Sequence, residues 1–175
     1  MIELVSYDST WPARFAEEAA RLWSACGPGV LRIDHVGSTS IPGLAAKPIV
    51  DVQMTVGTLA PLVGWVDRLA PLGYMHYPSP DDVEYPFFHR PTGWPHTHHV
   101  HLCVPDSGIG RATLALRDYL RDHPAERDAY AIEKRRLASL HVGDTADRRE
   151  AYALAKSPFL EPLIARAFQL GYPRV

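Results

Sequence analysis

This chain of 175 residues has few cysteines, little excess charge and no long apolar run. No window approaches the ~18 consecutive apolar residues of a membrane span, so no membrane-spanning helix is expected. The opening residues, Met1-Ile2-Glu3-Leu4-Val5-Ser6-Tyr7-Asp8, lack the basic region and apolar run of a signal peptide. The two cysteines, Cys26 and Cys103, form no CxxC, which argues against a disulfide scaffold and fits a reducing cytoplasm. A formal net charge of -2 gives no electrostatic footprint for general nucleic-acid binding.

What is present suits one domain with a sizeable core: 46% hydrophobic and 22% charged residues. The 16 prolines exceed the usual share of roughly 5%, but they are spread between elements and so read as ordered loops. Thr10-Trp11-Pro12 opens a helix that Gly27-Pro28-Gly29 stops. Strands are predicted over Val30 to Val36, Ile49 to Val56, Tyr74 to Tyr77, Tyr85 to Arg90 and Thr97 to Val104, with a helix over Leu59 to Leu72. After Gly110 the chain reads as helices, Arg111 to Asp122, Ala125 to Leu140 and Ala146 to Leu170, the last broken by Pro158 and Pro162. The expected class is α/β (α+β): a mixed sheet flanked by helices, with a helical C-terminal third.

The densest chemistry lies between His35 and Val56. A strand ends at the Gly37-Ser38 turn, and a tight connection leads to an apolar strand carrying Asp51. Such a turn can offer N–H groups and a hydroxyl to a phosphate. A carboxylate on the next strand can hold a Mg²⁺ that bridges phosphate oxygens. Read locally, Gly37 makes a turn and Ser38 or Thr39 caps a short helix. Asp51 within Pro48-Ile49-Val50-Asp51-Val52-Gln53-Met54 carries a large desolvation cost unless it is paired or metal-bound. Alternation puts Asp51 and Gln53 on one face of the sheet.

A second cluster comprises His96, His98, His99 and His101. Alternation places His99, His101 and Cys103 on one face, and His96 and His98 on the other if the strand reaches that far. These imidazoles can bind metal, bind phosphate as cations, serve as a general base, or simply pack in a sheet. Zinc is disfavoured, because its ligands are usually three or four at wider spacing. A pocket shared by His99, His101 and Asp51 is expected.

These residues resemble the GrpB family, which is placed in the nucleotidyltransferase superfamily. The resemblance is strongest over His35-Val36-Gly37-Ser38-Thr39-Ser40-Ile41-Pro42-Gly43-Leu44-Ala45-Ala46-Lys47-Pro48-Ile49-Val50-Asp51. It extends through Thr97-His98-His99-Val100-His101 and Arg117-Asp118-Tyr119-Leu120-Arg121 to Tyr130, Lys134, Tyr152, Lys156 and Phe159. It implies a nucleotidyltransferase-like fold. In that superfamily a Gly-Ser turn precedes a strand with two carboxylates, and a third comes from a later strand, together holding two divalent ions. Gly37, Ser38 and Asp51 match. Gln53 stands at the second carboxylate position, and His99 and His101 stand where the third is expected, two departures from the two-metal pattern. Related domains also occur fused to dephospho-CoA kinase.

The resemblance raises Arg117, Lys134 and Lys156 as a basic wall for phosphates, against the local reading of a solvated face paired with Asp118, Asp122 and Glu133. Lys47 can reach a phosphate from the connection, Arg90 is expected to face the same cleft, and Trp94 is a candidate base platform. The expected function is Mg²⁺- or Mn²⁺-dependent nucleotidyl or phosphoryl transfer. Gly37, Ser38, Thr39, Lys47, Arg117, Lys134 and Lys156 would hold the phosphates. Asp51, Gln53, His99 and His101 would hold metal, with Asp51, His99 and His101 catalytic. The alternatives are a non-catalytic module binding a nucleotide or phosphorylated small molecule, and a metal-dependent hydrolase built on His99, His101 and Cys103.

Overall fold

The computed structural model describes residues 2–143 and 145–174, so Met1, the first residue of the N-terminal reading, lies outside it. Helix α1 (Trp11–Cys26) begins at Trp11-Pro12, where a proline's missing N–H costs nothing. Asp8 Oδ1 accepts from the Thr10 N–H at 2.8 Å just ahead of it. Gly27 and Gly29, both at positive φ, turn the chain into β1 (Val30–Val36). After β2 (Val50–Val56) comes α2 (Leu62–Leu69), three residues later than the sequence pattern suggested. The early residues form a loop in which the Thr58 hydroxyl accepts from the Ala60 N–H and the Thr58 carbonyl accepts from the Trp65 indole.

The remaining strands are β3 (Met75–Tyr77), β4 (Phe87–Arg90) and β5 (His98–Cys103). The sheet order is β1-β2-β5-β4-β3, with β2 and β5 parallel and the other neighbours antiparallel. Tyr85, expected in a strand, precedes β4 instead. The C-terminal third is α3 (Gly108–Asp122), α4 (Pro124–Leu140), α5 (Ala146–Leu154) and α6 (Ser157–Gln169). The break falls at Ala155-Lys156. Pro158 lies in the first turn of α6, and Pro162 lies within that helix rather than ending it. The carbonyl that a residue 162 N–H would have engaged is that of Pro158, in the first turn.

Strand alternation divides the chemistry between the two faces. Val50, Val52, Met54, Val100, Leu102 and Phe88 pack against Trp11, Leu22, Trp65 and Leu69 of α1 and α2. The opposite face of β2 and β5 carries Asp51, Gln53, His99, His101 and Cys103, as alternation predicted. That polar face meets the helical third. There a second core of Ile41, Leu44, Tyr119, Leu120, Tyr130 and Leu163 holds α3, α4 and α6 to the connection after β1.

Candidate functional site

The site is built on the close approach of one glycine to one carboxylate. Gly37 has φ 65° and ψ -172°, a conformation open essentially to glycine alone. A methyl group there would overlap the Asp51 side chain. The chain then enters a 3-10 turn, Ser38–Ser40, whose first N–H groups have no partner within such a turn. The Ser40 hydroxyl closes it by donating to the Gly37 carbonyl at 2.6 Å. Thr39 is buried, and its hydroxyl lies 3.0 Å from His35 Nε2. Thr39 therefore anchors the turn from beneath. His35 stacks on Phe15 with centroids 4.7 Å apart.

A cavity of about 270 Å³ opens beside this turn. Ser38, Thr39, Lys47, Asp51, His99, His101, Lys134, Tyr152 and Lys156 all line it. Thus eight residues that the sequence proposed from four separate segments meet at one place. Among the described lining residues Asp51 is the one acid, set against three lysines. Burial pushes the Asp51 carboxyl up. The hydrogen bond from His99 and the charges of His99, His101 and Lys47 outweigh it and hold the group below the usual carboxylate range. Burial, joined by the other lysines, lowers Lys134 to about 7 and Lys156 to about 8, and Asp51 acts in the opposite direction on both. Lys134 is fixed by donating to the Ala45 carbonyl. Lys156 lies 5.1 Å from the Tyr152 ring centroid and Lys47 lies 5.6 Å from it.

Imidazoles line the sheet side. His99 Nδ1 is 3.0 Å from Asp51 Oδ1, and His99 Nε2 is 3.1 Å from His96 Nδ1. His96 thus joins the His99 side: it precedes β5, so the strand does not reach far enough for alternation to place it on the other face. His101 is stacked between Tyr85 and Phe87, and burial lowers it to about 4. His101 Nδ1 is buried with no hydrogen-bond partner among the described residues.

Three proposed residues take other positions. Gln53 lies on the Asp51 face but lines a separate cavity with Thr55 and Cys103, and its Oε1 accepts from the Tyr85 hydroxyl at 3.0 Å. Arg117 donates to Asp118 at 2.7 Å and to the His35 carbonyl at 3.2 Å. It faces an adjoining apolar cavity of about 400 Å³ that shares Ser38, Asp51 and Lys156 with the lysine cavity. Arg90 projects from the opposite face of the sheet, where it donates to Glu18 at 2.8 Å.

The divalent ion implied by the resemblance finds a poor donor set here. Mg²⁺ favours oxygen ligands in octahedral geometry. Asp51 supplies one carboxylate, with an oxygen already engaged by His99, and the Gln53 oxygen is taken by Tyr85. Among the described residues no group of three or more His, Cys, Asp and Glu is placed to hold an ion. The donors suit an anion better than a resident cation. Cys103 lies outside the Asp51 cavity, which removes the basis of the His99-His101-Cys103 hydrolase.

A five-stranded mixed sheet flanked by helices, with a helical C-terminal third, makes this an α/β protein of nucleotidyltransferase-like fold. The comparisons agree. The Cid1 poly(U) polymerase bound to MgATP superposes with a TM-score of 0.50 at 12% identity, over 80% of this chain and 46% of that one, a likeness of fold. The family model described as GrpB protein matches residues 1–166, and the chain belongs to the GrpB family. It is 36% identical to the UPF0157 protein BH1888 of Halalkalibacterium halodurans, over 95% of this chain and 82% of that protein. The crystal structure of GrpB from Enterococcus faecalis superposes with a TM-score of 0.84 at 28% identity, covering 95% of this chain and 98% of that one. A dephospho-CoA kinase of Mycolicibacterium paratuberculosis is 31% identical over 95% of this chain but only 46% of its own length. Among the described residues no helix is long and apolar enough to cross a membrane.

Proposed function

We propose that this chain binds a nucleotide or another phosphorylated small molecule, with its phosphates among Lys47, Lys134, Lys156 and Ser38. One observation carries the reading: three lysines converge on a cavity whose lining, among the described residues, holds a single acid. Lys134 and Lys156 are held well below the usual range of a lysine, by burial first and by their neighbours' charge second. An anion relieves both effects by restoring a charge partner. Charge-assisted bonds from ammonium groups to phosphate oxygens are stronger than neutral ones. Lys47, Lys134 and Lys156 supply the counter-charge, the turn supplies a hydroxyl, and Asp51 with His99 fixes the floor. The match to part of a dephospho-CoA kinase supports a phosphorylated small molecule as the ligand class.

Calorimetric titration with pyrophosphate and ATP, with and without Mg²⁺, tests this. Binding is expected without the metal, and Lys156→Gln should weaken it by roughly tenfold or more, the cost of one charge-assisted bond. Absence of binding at millimolar ligand, or an unaffected Lys156→Gln variant, overturns the reading.

A second reading, group transfer from a nucleoside triphosphate, is favoured by the position of Asp51. The resemblance matches it to the superfamily's first carboxylate, and in the cavity it stays ionised and lies beside Ser38. It requires triphosphate consumption with Mg²⁺ or Mn²⁺, seen by mass spectrometry and lost in Asp51→Asn. Binding without consumption under any divalent ion selects the first reading.

A further inference from the structure

The lysine cavity adjoins a larger cleft. This cleft, of about 510 Å³, shares Lys47, His99 and Ala153 with the lysine cavity and runs from there between β3, β4 and α5. Rings form one side of it, and Asp147, Arg149 and Glu150 of α5 form the other. Phe87 and His89 project from β4, and Tyr77 projects from β3. Trp94 and His96 close it from the loop before β5. Tyr77 is 52% exposed, and Phe87 stands beside it with centroids 6.2 Å apart. The Arg149 guanidinium lies 4.0 Å from the Trp94 centroid, which sets a planar cation in the same wall. The two spaces are also joined chemically. The hydrogen-bonded line Asp51, His99, His96 runs from the floor of one into the wall of the other.

We propose that this cleft receives the planar heteroaromatic ring of the ligand whose phosphates occupy the lysine cavity, so that the ligand is a nucleotide rather than a phosphorylated aliphatic compound. The inference rests on the phosphate reading above. Three facts on the site support it. A ring-lined wall offers stacking faces to any base, and each stacked base contributes substantially to affinity. The two spaces share Lys47, His99 and Ala153 in their walls, so they lie side by side within the span of one ligand. The other space adjoining Ser38 and Asp51 is walled by Ile41, Leu116, Leu120, Leu160 and Ile164, which suits an aliphatic group. Trp94 and His96 thereby gain a role.

Titrations of pyrophosphate and ATP into the wild-type chain and into Tyr77→Ser and Trp94→Leu variants test it. Tyr77 is exposed, so its replacement is expected to leave the fold intact, checked by thermal melting. ATP should bind at least tenfold more tightly than pyrophosphate. Tyr77→Ser should weaken ATP about tenfold and leave pyrophosphate unchanged, and Trp94→Leu, whose ring centroid lies 5.9 Å from the Lys47 ammonium, should weaken ATP more than it weakens pyrophosphate. ATP binding no tighter than pyrophosphate, or tighter but indifferent to both substitutions, overturns the ring cleft while the phosphate site stands. Failure of pyrophosphate and ATP alike removes the phosphate site, and the cleft proposal with it.

Discussion

Lys134 and Lys156 sit where an ammonium group is least comfortable: one buried and the other half-buried, close to one another and to Lys47, with Asp51 as the carboxylate that favours their charge. At neutral pH both are poised near their midpoints, about 7 and about 8. A phosphate seated between them raises both, so binding must draw protons from solution. Calorimetry of pyrophosphate binding at pH 8, in buffers of different ionisation heat, should show net proton uptake. That uptake should shrink in Lys156→Gln and toward pH 6, and affinity should decline as pH rises above about 8. A binding heat independent of the buffer would refute this. Asp51 was legible in the sequence, because a solitary carboxylate in an apolar strand demands a partner. The lysines were legible only through the family resemblance. A Tyr-x-x-x-Lys pair on a helix looks the same whether it faces water or a cavity. Gln53 misled because parity fixes a face, not the neighbour on that face, and the Tyr85 hydroxyl that takes its oxygen comes from outside any strand.

Whole elements explain what became of the other cations. The connection between the 3-10 turn and β2 is rich in carbonyls that no sheet satisfies. Arg121 donates to the Ser40 carbonyl at 2.7 Å, Arg127 to that of Pro42 at 3.1 Å, and Lys134 to that of Ala45. With Arg117 on the His35 carbonyl, the basic face of α3 and α4 is a clamp on this segment. Periodicity marks such a face but cannot say whether it meets a ligand or a backbone. Strand identities and parity on β2 and β5 were legible throughout. The place of α2's start was not, since loop hydrogen bonds at Thr58 decide it. On the far face of the sheet Glu18 of α1 is buried and accepts from Arg21, Arg90 and the Tyr74 hydroxyl, fastening the helix to β4. Removing one partner of a buried pair leaves the other uncompensated, at about 3 kcal/mol or more. Glu18→Ala should lose about that much in urea denaturation while leaving pyrophosphate affinity intact. A loss below about 1 kcal/mol would show that Arg90 finds water instead.

From mild acid to mild alkali the shifted histidines and lysines move stability in one direction, and the buried thiols and phenols, raised by burial, oppose it only at higher pH. Burial is the first cause at His35, His96, His98 and His101, and each is lowered from 6.5 to about 4. Between those values the unfolded chain binds more protons than the folded one, so stability falls as pH drops from 6.5 toward 4. The lysines extend the trend upward. Their folded values of about 7 and 8 lie below the free value of 10.5, so the unfolded chain again binds more protons in that window and stability rises with pH through it. The thermal midpoint of the unliganded protein should therefore climb from pH 5 to about pH 8 rather than peak in mild acid. A midpoint that is highest near pH 6 and declines by pH 8 would contradict these assignments. Saturating pyrophosphate distinguishes the two sets of groups. It stabilises the folded state by mass action, most strongly where the lysines are charged. The alkaline limb should flatten in its presence, while the acid limb of the histidines outside the cavity, His35 and His98, keeps its slope. An alkaline limb unchanged by ligand would mean that the anion binds away from Lys134 and Lys156.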